Sequence, residues 1–169
     1  VIDRWIEGSF LSEVLAKKSL STTETLCIGR EIAEGLKLLH DHGIIRRELS
    51  PQFVLLREPD RSVVLTDFEL AKLLDASPTV SKDWPQDAYR APEVGDSKID
   101  ARADIYSWGR IMTQMALGTA PPIGQERKSL RGSGLPDEII SLLTRCVALP
   151  RSNRPNAISD VLAVLDSLA

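Results

Sequence analysis

The chain has 169 residues, of which 43% are hydrophobic, 27% charged and 5% aromatic, and its net charge is −3. This is enough for one globular domain with an aliphatic core. The weak charge argues against nucleic acid or anionic lipid as a partner, and no apolar run in the sequence approaches the roughly 20 residues that span a bilayer. We therefore predict a cytoplasmic protein with no nucleic-acid and no membrane partner.

The cysteine and histidine content is low. Cys27 and Cys146 are far apart and both fall in helical patterns, so buried reduced thiols are predicted. The two histidines, His40 and His42, do not form a metal-binding pattern with either cysteine. The sequence gives no reason to expect a His/Cys metal site.

The first half of the chain predicts two helices. Gly8 and Ser9 indicate a turn that leads into a short helix. A longer helix is predicted from Ser21, because Ser21 and Glu24 have the spacing of a capping box. Its apolar stripe has helical spacing, at Ile28, Ile32, Leu36 and Leu39. Gly43 falls where a left-handed C-cap is wanted.

A β-hairpin is predicted after this helix. Two apolar runs, residues 53–56 and 63–66, are separated by a segment with the turn formers Pro59 and Asp60. Residues 67–92 then show no strong periodicity and contain three prolines. Such a stretch is typical of a long surface segment that is functional or mobile.

Three helices are predicted in the second half. The first runs from Asp104 to Leu117, and a loop rich in proline, glycine and charge, TAPPIGQERKSLRGSG, follows it. The second has Pro136 in its first turn, where proline is favoured. The third carries the apolar residues Ile158, Val161, Leu162, Leu165 and Leu168. The predicted fold class is mainly α.

Six stretches occur along the chain in an informative order: RWIEGSFLSEVL, LHDHGIIRRELSPQFVLL, LTDFELAKLLD, YRAPEV, DARADIYSWGRIMTQMALG and CVALPRSNRP. They resemble, in turn, the hinge, the catalytic loop, the Asp-Phe-Gly loop, the Ala-Pro-Glu motif, the central helix and the late Arg-Pro segment of eukaryotic-type protein kinases. The resemblance covers essentially the whole chain. It implies a protein-kinase-like C-terminal lobe, which is a helical bundle with a small β-hairpin.

The resemblance also implies a domain plan. Residues 1–169 form one lobe, with residues 1–8 as a hinge remnant that includes Asp3 and Arg4, and residues 67–93 as the equivalent of the activation segment. The sequence contains neither the glycine-rich phosphate loop nor the Val-Ala-Ile-Lys strand of the N-terminal lobe. We therefore expect Val1 to lie about where the two lobes join.

Several positions that carry the family's chemistry are altered. Phosphoryl transfer needs positioned magnesium, a group that orients the nucleophile, and cations that offset developing charge. By the resemblance, Glu48 takes the place of the catalytic aspartate, and its extra methylene moves the carboxylate by about 1 Å. Ser50 replaces the lysine that contacts the transferred phosphate. Phe53 replaces the magnesium-binding asparagine, and a phenyl ring cannot ligate a cation that demands oxygen.

Other positions near the expected metal site are altered as well. Asp67 keeps the aspartate of the Asp-Phe-Gly motif as a vestigial metal ligand, but Glu69 replaces the glycine. Pro85 and Gln86 replace a Gly-Thr pair that braces the catalytic loop in the family. We therefore expect part of residues 76–86 to be mobile or to be folded differently from the same segment of an active kinase. Arg46 places a charge where the family packs the ring of a histidine.

Positions with structural roles in the family are retained. The resemblance implies that Arg47 anchors the activation segment. It implies that Glu93 and Arg154 form a buried ion pair that ties this segment to the late helices. It also implies that Asp104 accepts backbone N–H bonds from the catalytic loop.

We interpret the sequence as a pseudokinase lobe that acts as a non-catalytic binding or regulatory module with a protein partner. No cofactor is expected. Weak binding of ATP and magnesium, with Leu55 as the floor of the adenine site, is the expectation only if an N-terminal lobe is present. Two alternatives stay open: an active serine/threonine kinase that uses Glu48 and Asp67, and a nucleotide-binding switch that transfers no phosphate.

Overall fold

The computed structural model describes residues 6–67, 72–73, 88–94 and 99–168. The helices are α1 (Leu11–Lys17), α2 (Thr22–Asp41), α3 (Arg102–Leu117), α4 (Glu126–Leu130), α5 (Asp137–Cys146) and α6 (Ile158–Asp166). The strands are β1 (Gly8–Phe10), β2 (Ile44–Ile45), β3 (Val54–Arg57), β4 (Val63–Leu65) and β5 (Lys72–Leu73). The fold is mainly helical with little sheet, as the sequence predicts.

The sheet is larger than the predicted hairpin. Strands β3 and β4 form that hairpin, and β1 adds to β3 as a third antiparallel strand. The predicted turn at Gly8 and Ser9 is therefore wrong. Gly8 is needed for a close approach, because a Cβ on it would collide with the carbonyl oxygen of Leu56 on β3. Strands β2 and β5 form a separate antiparallel pair.

Helix α3 is the central element of the core, as predicted. Trp108 is fully buried, and its indole N–H donates to the carbonyl oxygen of Gly29 on α2 at 2.8 Å. On another face, a Cβ on Gly109 would lie 2.8 Å from the Cβ of Cys146 on α5. Glycine at position 109 thus allows close packing between α3 and α5. The helix is in contact with α2, α4 and α5.

Both predicted ends of α2 are confirmed. The backbone N–H of Glu24 donates to the hydroxyl of Ser21 at 3.2 Å, and the N–H of Ser21 donates to the Glu24 carboxylate at 2.9 Å. Gly43 has a φ of 70°, which is the left-handed conformation expected after the helix. None of the helices in the described ranges is long and apolar enough to cross a membrane.

Three smaller predictions are wrong. The segment predicted as a loop contains α4. Leu130 at the end of α4 packs into the core and has no exposed surface. Helix α6 ends at Asp166, so Leu168 lies beyond it and is 39% exposed. Cys27 is an exposed free thiol, because it faces away from the buried stripe of α2. Cys146 is buried and free as predicted, and burial raises the pKa of its thiol to about 12.

Candidate functional site

Asp104 holds the predicted catalytic loop from behind. Its carboxylate is fully buried on α3 and accepts the backbone N–H groups of Arg46 at 2.8 Å and Arg47 at 2.7 Å. Arg47 has a φ of 65°, a conformation that side-chain-bearing residues adopt rarely and mostly where surrounding contacts enforce it. His40, at the end of α2, completes the arrangement with its Nε2 at 2.8 Å from the same carboxylate. The ring nitrogen donates here, because an ionised carboxylate only accepts.

Arg46 points its side chain into the lobe beneath the end of β4. Its Nη2 donates to the carbonyl oxygen of Thr66 at 2.6 Å, and its Cζ lies 5.4 Å from the centroid of the Phe53 ring. The residue is only 1% exposed. Burial lowers the pKa of the guanidinium, and the carboxylates of Asp104, Asp67 and Glu48 oppose that shift. An arginine remains protonated at neutral pH even so.

The carboxylate at the position of the catalytic base is already occupied. Glu48 forms an ion pair with Arg90, which belongs to the YRAPEV motif 42 positions later. The Glu48 side chain is 16% exposed and that of Arg90 9% exposed. This part-buried pair joins the catalytic loop to the segment that ends the predicted activation region.

Ser50 lies at the edge of a cavity of about 330 Å³ between α1, the catalytic loop and the end of α3. The side chains around it are uncharged and include Leu15, Gln52, Tyr89 and Gln114. The Tyr89 hydroxyl donates to the Gln114 side-chain oxygen at 2.5 Å. Ser50 is 2% exposed, and its hydroxyl has no hydrogen-bond partner among the described residues.

Phe53, Leu55 and Asp67 are close along the hairpin but differ in environment. Phe53 ends a single 3₁₀ turn, Pro51–Phe53, and is partly buried. Leu55 is 7% exposed on β3, opposite Val64 of β4. Asp67 is exposed just after β4 and has a φ of 59°. The roles of Leu55 in adenine binding and of Asp67 in metal binding stay predictions.

The predicted ion pair between Glu93 and Arg154 is present. Arg154 Nη1 lies 2.5 Å from Glu93 Oε1, and Nη2 lies 3.0 Å from Oε2. The same guanidinium donates to the carbonyl oxygens of Ala148, Leu149 and Arg102, and it stacks on the Tyr106 ring at 4.9 Å. The Arg154 side chain has no exposed surface. It therefore connects three separate segments of the chain.

Arg47 was predicted to anchor the activation segment. Its side chain is 4% exposed, its Nε has no hydrogen-bond partner among the described residues, and burial lowers the pKa of its guanidinium. Most of the segment it would anchor lies outside the described residues. So do Asp3 and Arg4 of the predicted hinge, Glu69, the Pro85-Gln86 pair and residues 76–86.

Comparison with known proteins identifies the family. The sequence matches the protein kinase domain over residues 2–165, and the chain belongs to the protein kinase family. It is 32% identical over 166 residues to the serine/threonine-protein kinase pkn2 of Myxococcus xanthus, a match that covers 88% of the chain and 20% of that protein. It is 27% identical over 171 residues to a probable serine/threonine-protein kinase of Clostridium perfringens, covering 96% of the chain and 23% of that protein.

The human serine/threonine-protein kinase ULK1 is 31% identical over 141 residues, with 78% of the chain and 13% of that protein covered. The chain thus spans a quarter or less of the length of these three relatives. The similarity places its fold in the family.

The residues present do not fit a magnesium ion well. Asp67 is an exposed carboxylate, but the second ligand position holds the ring of Phe53, and magnesium requires oxygen ligands. Within the described ranges, no group of three or more histidine, cysteine, aspartate or glutamate side chains is placed to hold a metal ion. The guanidinium of Arg46 lies behind this position, where it donates to the carbonyl oxygen of Thr66.

Two residues of the site were missed from sequence. His40 lies just before the catalytic loop, within LHDHGIIRRELSPQFVLL. A buried carboxylate can accept more than two hydrogen bonds, which is a reason to look for a further donor to Asp104. Arg90 lies within YRAPEV, but its pairing with Glu48 depends on where the chain returns 42 positions later. No local pattern predicts such a contact.

Proposed function

We propose that this lobe of the protein kinase family is a non-catalytic binding or regulatory module that works through a protein partner and needs neither ATP nor magnesium. The observation that carries the proposal is the ion pair between Glu48 and Arg90. A general base must reach the hydroxyl whose proton it accepts. Here the Glu48 carboxylate already binds a guanidinium, so a substrate hydroxyl has to compete with a resident cation.

The neutral cavity beside Ser50 supports the same proposal. Charge that develops on a transferring phosphoryl group is stabilised by fixed cations and donors, and this is commonly the largest single contribution to such catalysis. The side chains that line this cavity carry no charge. The lysine position of the family, Ser50, therefore supplies no cation to this cavity.

An active serine/threonine kinase is the second candidate. It is favoured by the survival of carboxylates at both acidic positions, Glu48 and Asp67, and by the exposure of Asp67 to solvent. This candidate requires a nucleotide-binding lysine from outside the 169 residues. It also requires Arg90 to leave Glu48 when substrate binds.

A phosphotransfer assay separates the two candidates. The gene's complete product is incubated with radiolabelled ATP and magnesium, with and without a generic protein substrate. We expect less than one phosphate transferred per protein molecule. Glu48→Asp and Arg90→Met should both stay inactive, since residues that act as a unit are not restored one at a time. Joint restoration of Asp, Lys, Asn and Gly at positions 48, 50, 53 and 69, combined with Arg46→His to restore the family's histidine, is the positive control for trace activity.

Stoichiometric or faster labelling that Asp67→Ala abolishes would overturn the proposal in favour of the active kinase. A second readout is complementation in cells that lack the gene. A binding module should tolerate Asp67→Ala and Glu48→Gln, whereas a kinase should lose its function with either. Loss of complementation by a well-folded Asp67→Ala protein would therefore also count against the proposal.

A further inference from the structure

We infer that Arg46 is a resident cation that takes over the electrostatic place of a divalent metal ion in this lobe, and that it excludes magnesium from the Asp67 position. The inference rests on the proposed function, because it concerns the same site. It goes further in assigning the exclusion to one buried side chain rather than to the loss of a ligand at Phe53.

The first step is the position of the guanidinium. Arg46 is fixed at its backbone by the N–H bond to Asp104 and at its tip by the bond from Nη2 to the carbonyl oxygen of Thr66. Thr66 is the residue directly before Asp67. The positive charge therefore lies beneath the peptide that carries the vestigial metal ligand, and two bonds 20 and 58 positions apart in sequence hold it there.

The second step is the charge balance. The two carboxylates at the expected acidic positions are Glu48 and Asp67. Glu48 is paired with Arg90, and the field of Asp67 acts on Arg46. Asp104 also acts on Arg46 and on Arg47, so three anions face three guanidinium groups that belong to the fold. A divalent ion that binds at Asp67 therefore finds no uncompensated pair of carboxylates, and the guanidinium beneath the site repels it.

The third step concerns Phe53. The Arg46 guanidinium lies over the Phe53 ring, with 5.4 Å between Cζ and the ring centroid, which is within the range of a cation–π contact. The ring therefore stabilises the charge that replaces the metal. Phe53 and Arg46 form a matched pair, so restoring an oxygen ligand at position 53 leaves the repelling charge in place.

The test measures Mn²⁺ binding by the loss of the free-ion electron paramagnetic resonance signal, without nucleotide. In the wild-type protein, residual Mn²⁺ affinity should be unchanged by Asp67→Asn. In a Phe53→Asn background, the protein that keeps Arg46 and the one with Arg46→Lys should bind Mn²⁺ no better than wild type. Arg46→Met in that background removes the charge and should raise the affinity at least about tenfold.

The control variants locate the effect. Adding Asp67→Asn to the Phe53→Asn, Arg46→Met protein should abolish the gain. Arg57→Met removes an exposed arginine at the end of β3 that pairs with Asp60, and it should leave Mn²⁺ affinity unchanged. Chemical denaturation of every variant shows which of them fold. If the double variant does not fold, the wild-type comparison with Asp67→Asn and the Phe53→Asn measurement still decide the inference.

Tight Mn²⁺ binding by wild type that Asp67→Asn removes would overturn it. A large gain in Mn²⁺ affinity from Phe53→Asn alone would overturn it as well. So would equal Mn²⁺ affinities of the Arg46→Lys and Arg46→Met proteins in the Phe53→Asn background. Metal binding without phosphate transfer would defeat this inference and leave the proposed non-catalytic role intact, whereas phosphate transfer would defeat the proposed function.

Discussion

The catalytic loop and the frame behind it belong to one lobe, but their charged residues are used differently. In the frame, Asp104 and Arg154 bind backbone groups of the surrounding segments and are fully buried. In the loop, Glu48 is bound by Arg90, and Arg46 lies over Phe53. A frame charge is required for folding whether or not a substrate binds. A loop charge is required in its original form only if chemistry takes place there.

The sharpest test of this difference is Arg154→Ala in the frame. The substitution leaves Glu93 without its partner and frees three backbone carbonyl oxygens. Breaking a buried pair from one side typically costs about 3–5 kcal/mol. We expect a loss of that size in the free energy of unfolding, measured with urea.

Arg151→Ala is the matched control for Arg154→Ala. Arg151 lies three residues earlier, its side chain is 38% exposed, and its nitrogen is 3.7 Å from Asp100. Exposed pairs are worth about 0–1 kcal/mol, so this control should change stability little. Equal effects of the two substitutions would remove the distinction between buried frame and exposed surface.

The second prediction concerns Asp104→Asn. An asparagine keeps the size but replaces one acceptor oxygen by a donor that then faces a backbone N–H. We expect a loss of about 2–4 kcal/mol, because buried hydrogen bonds to charged groups are lost and a donor is left unpaired. Urea unfolding measures it, and Asp41→Asn, on the exposed end of α2, is the control. A near-neutral Asp104→Asn would mean that the catalytic loop is held by other contacts.

The frame was largely predictable from the sequence, and the loop was predictable only in what it lacks. The helices that form the frame have strong apolar periodicity, and the Glu93–Arg154 and Asp104 contacts follow from a family pattern spread over the whole chain. That Ser50 and Phe53 lack the required chemistry follows from residue type alone. The contacts that the loop residues make instead do not follow from residue type. The Glu48–Arg90 and Arg46–Phe53 contacts depend on side-chain placement in the folded state.

The same limit explains the errors in the fold. Gly8 and Ser9 look like a turn locally, and only pairing with β3, nearly 50 positions later, makes them a strand. Helix α4 is only five residues long and sits in a segment rich in proline and glycine. Its Glu126 is 3% exposed and bonded to Arg110 of α3 at 2.6 Å. A tertiary ion pair therefore stabilises an element whose sequence predicts a loop.

The third prediction moves to the loop. Arg90→Met removes the partner of Glu48, which is 16% exposed and can be hydrated after the change. We expect a loss of about 1–2 kcal/mol in urea unfolding, smaller than for either frame residue, since a hydrated carboxylate escapes most of the penalty of burial. A loss as large as that for Arg154→Ala would show that the loop pair has become part of the frame.

The smallest expected effect tests whether burial, rather than charge alone, distinguishes the charged residues of the frame from those of the catalytic loop. Glu24 is a charged residue of the frame, but it lies on the surface at the start of α2. Its bonds with Lys18 and Ser21 lower the pKa of its carboxyl from 4.5 to about 2. A lowered pKa in the folded state means that the ionised form is the one that folding favours. The resulting stability is fully present above pH 4.5 and declines as the pH falls through that value towards about 2. Solvent screening keeps this contribution to about 1 kcal/mol or less.

Urea unfolding of wild type and Glu24→Gln, compared from about pH 6 to about pH 3, should give a stability difference that shrinks as the pH falls. A difference that stays constant over that range would mean that the carboxylate contributes through the geometry of the cap and not through its charge.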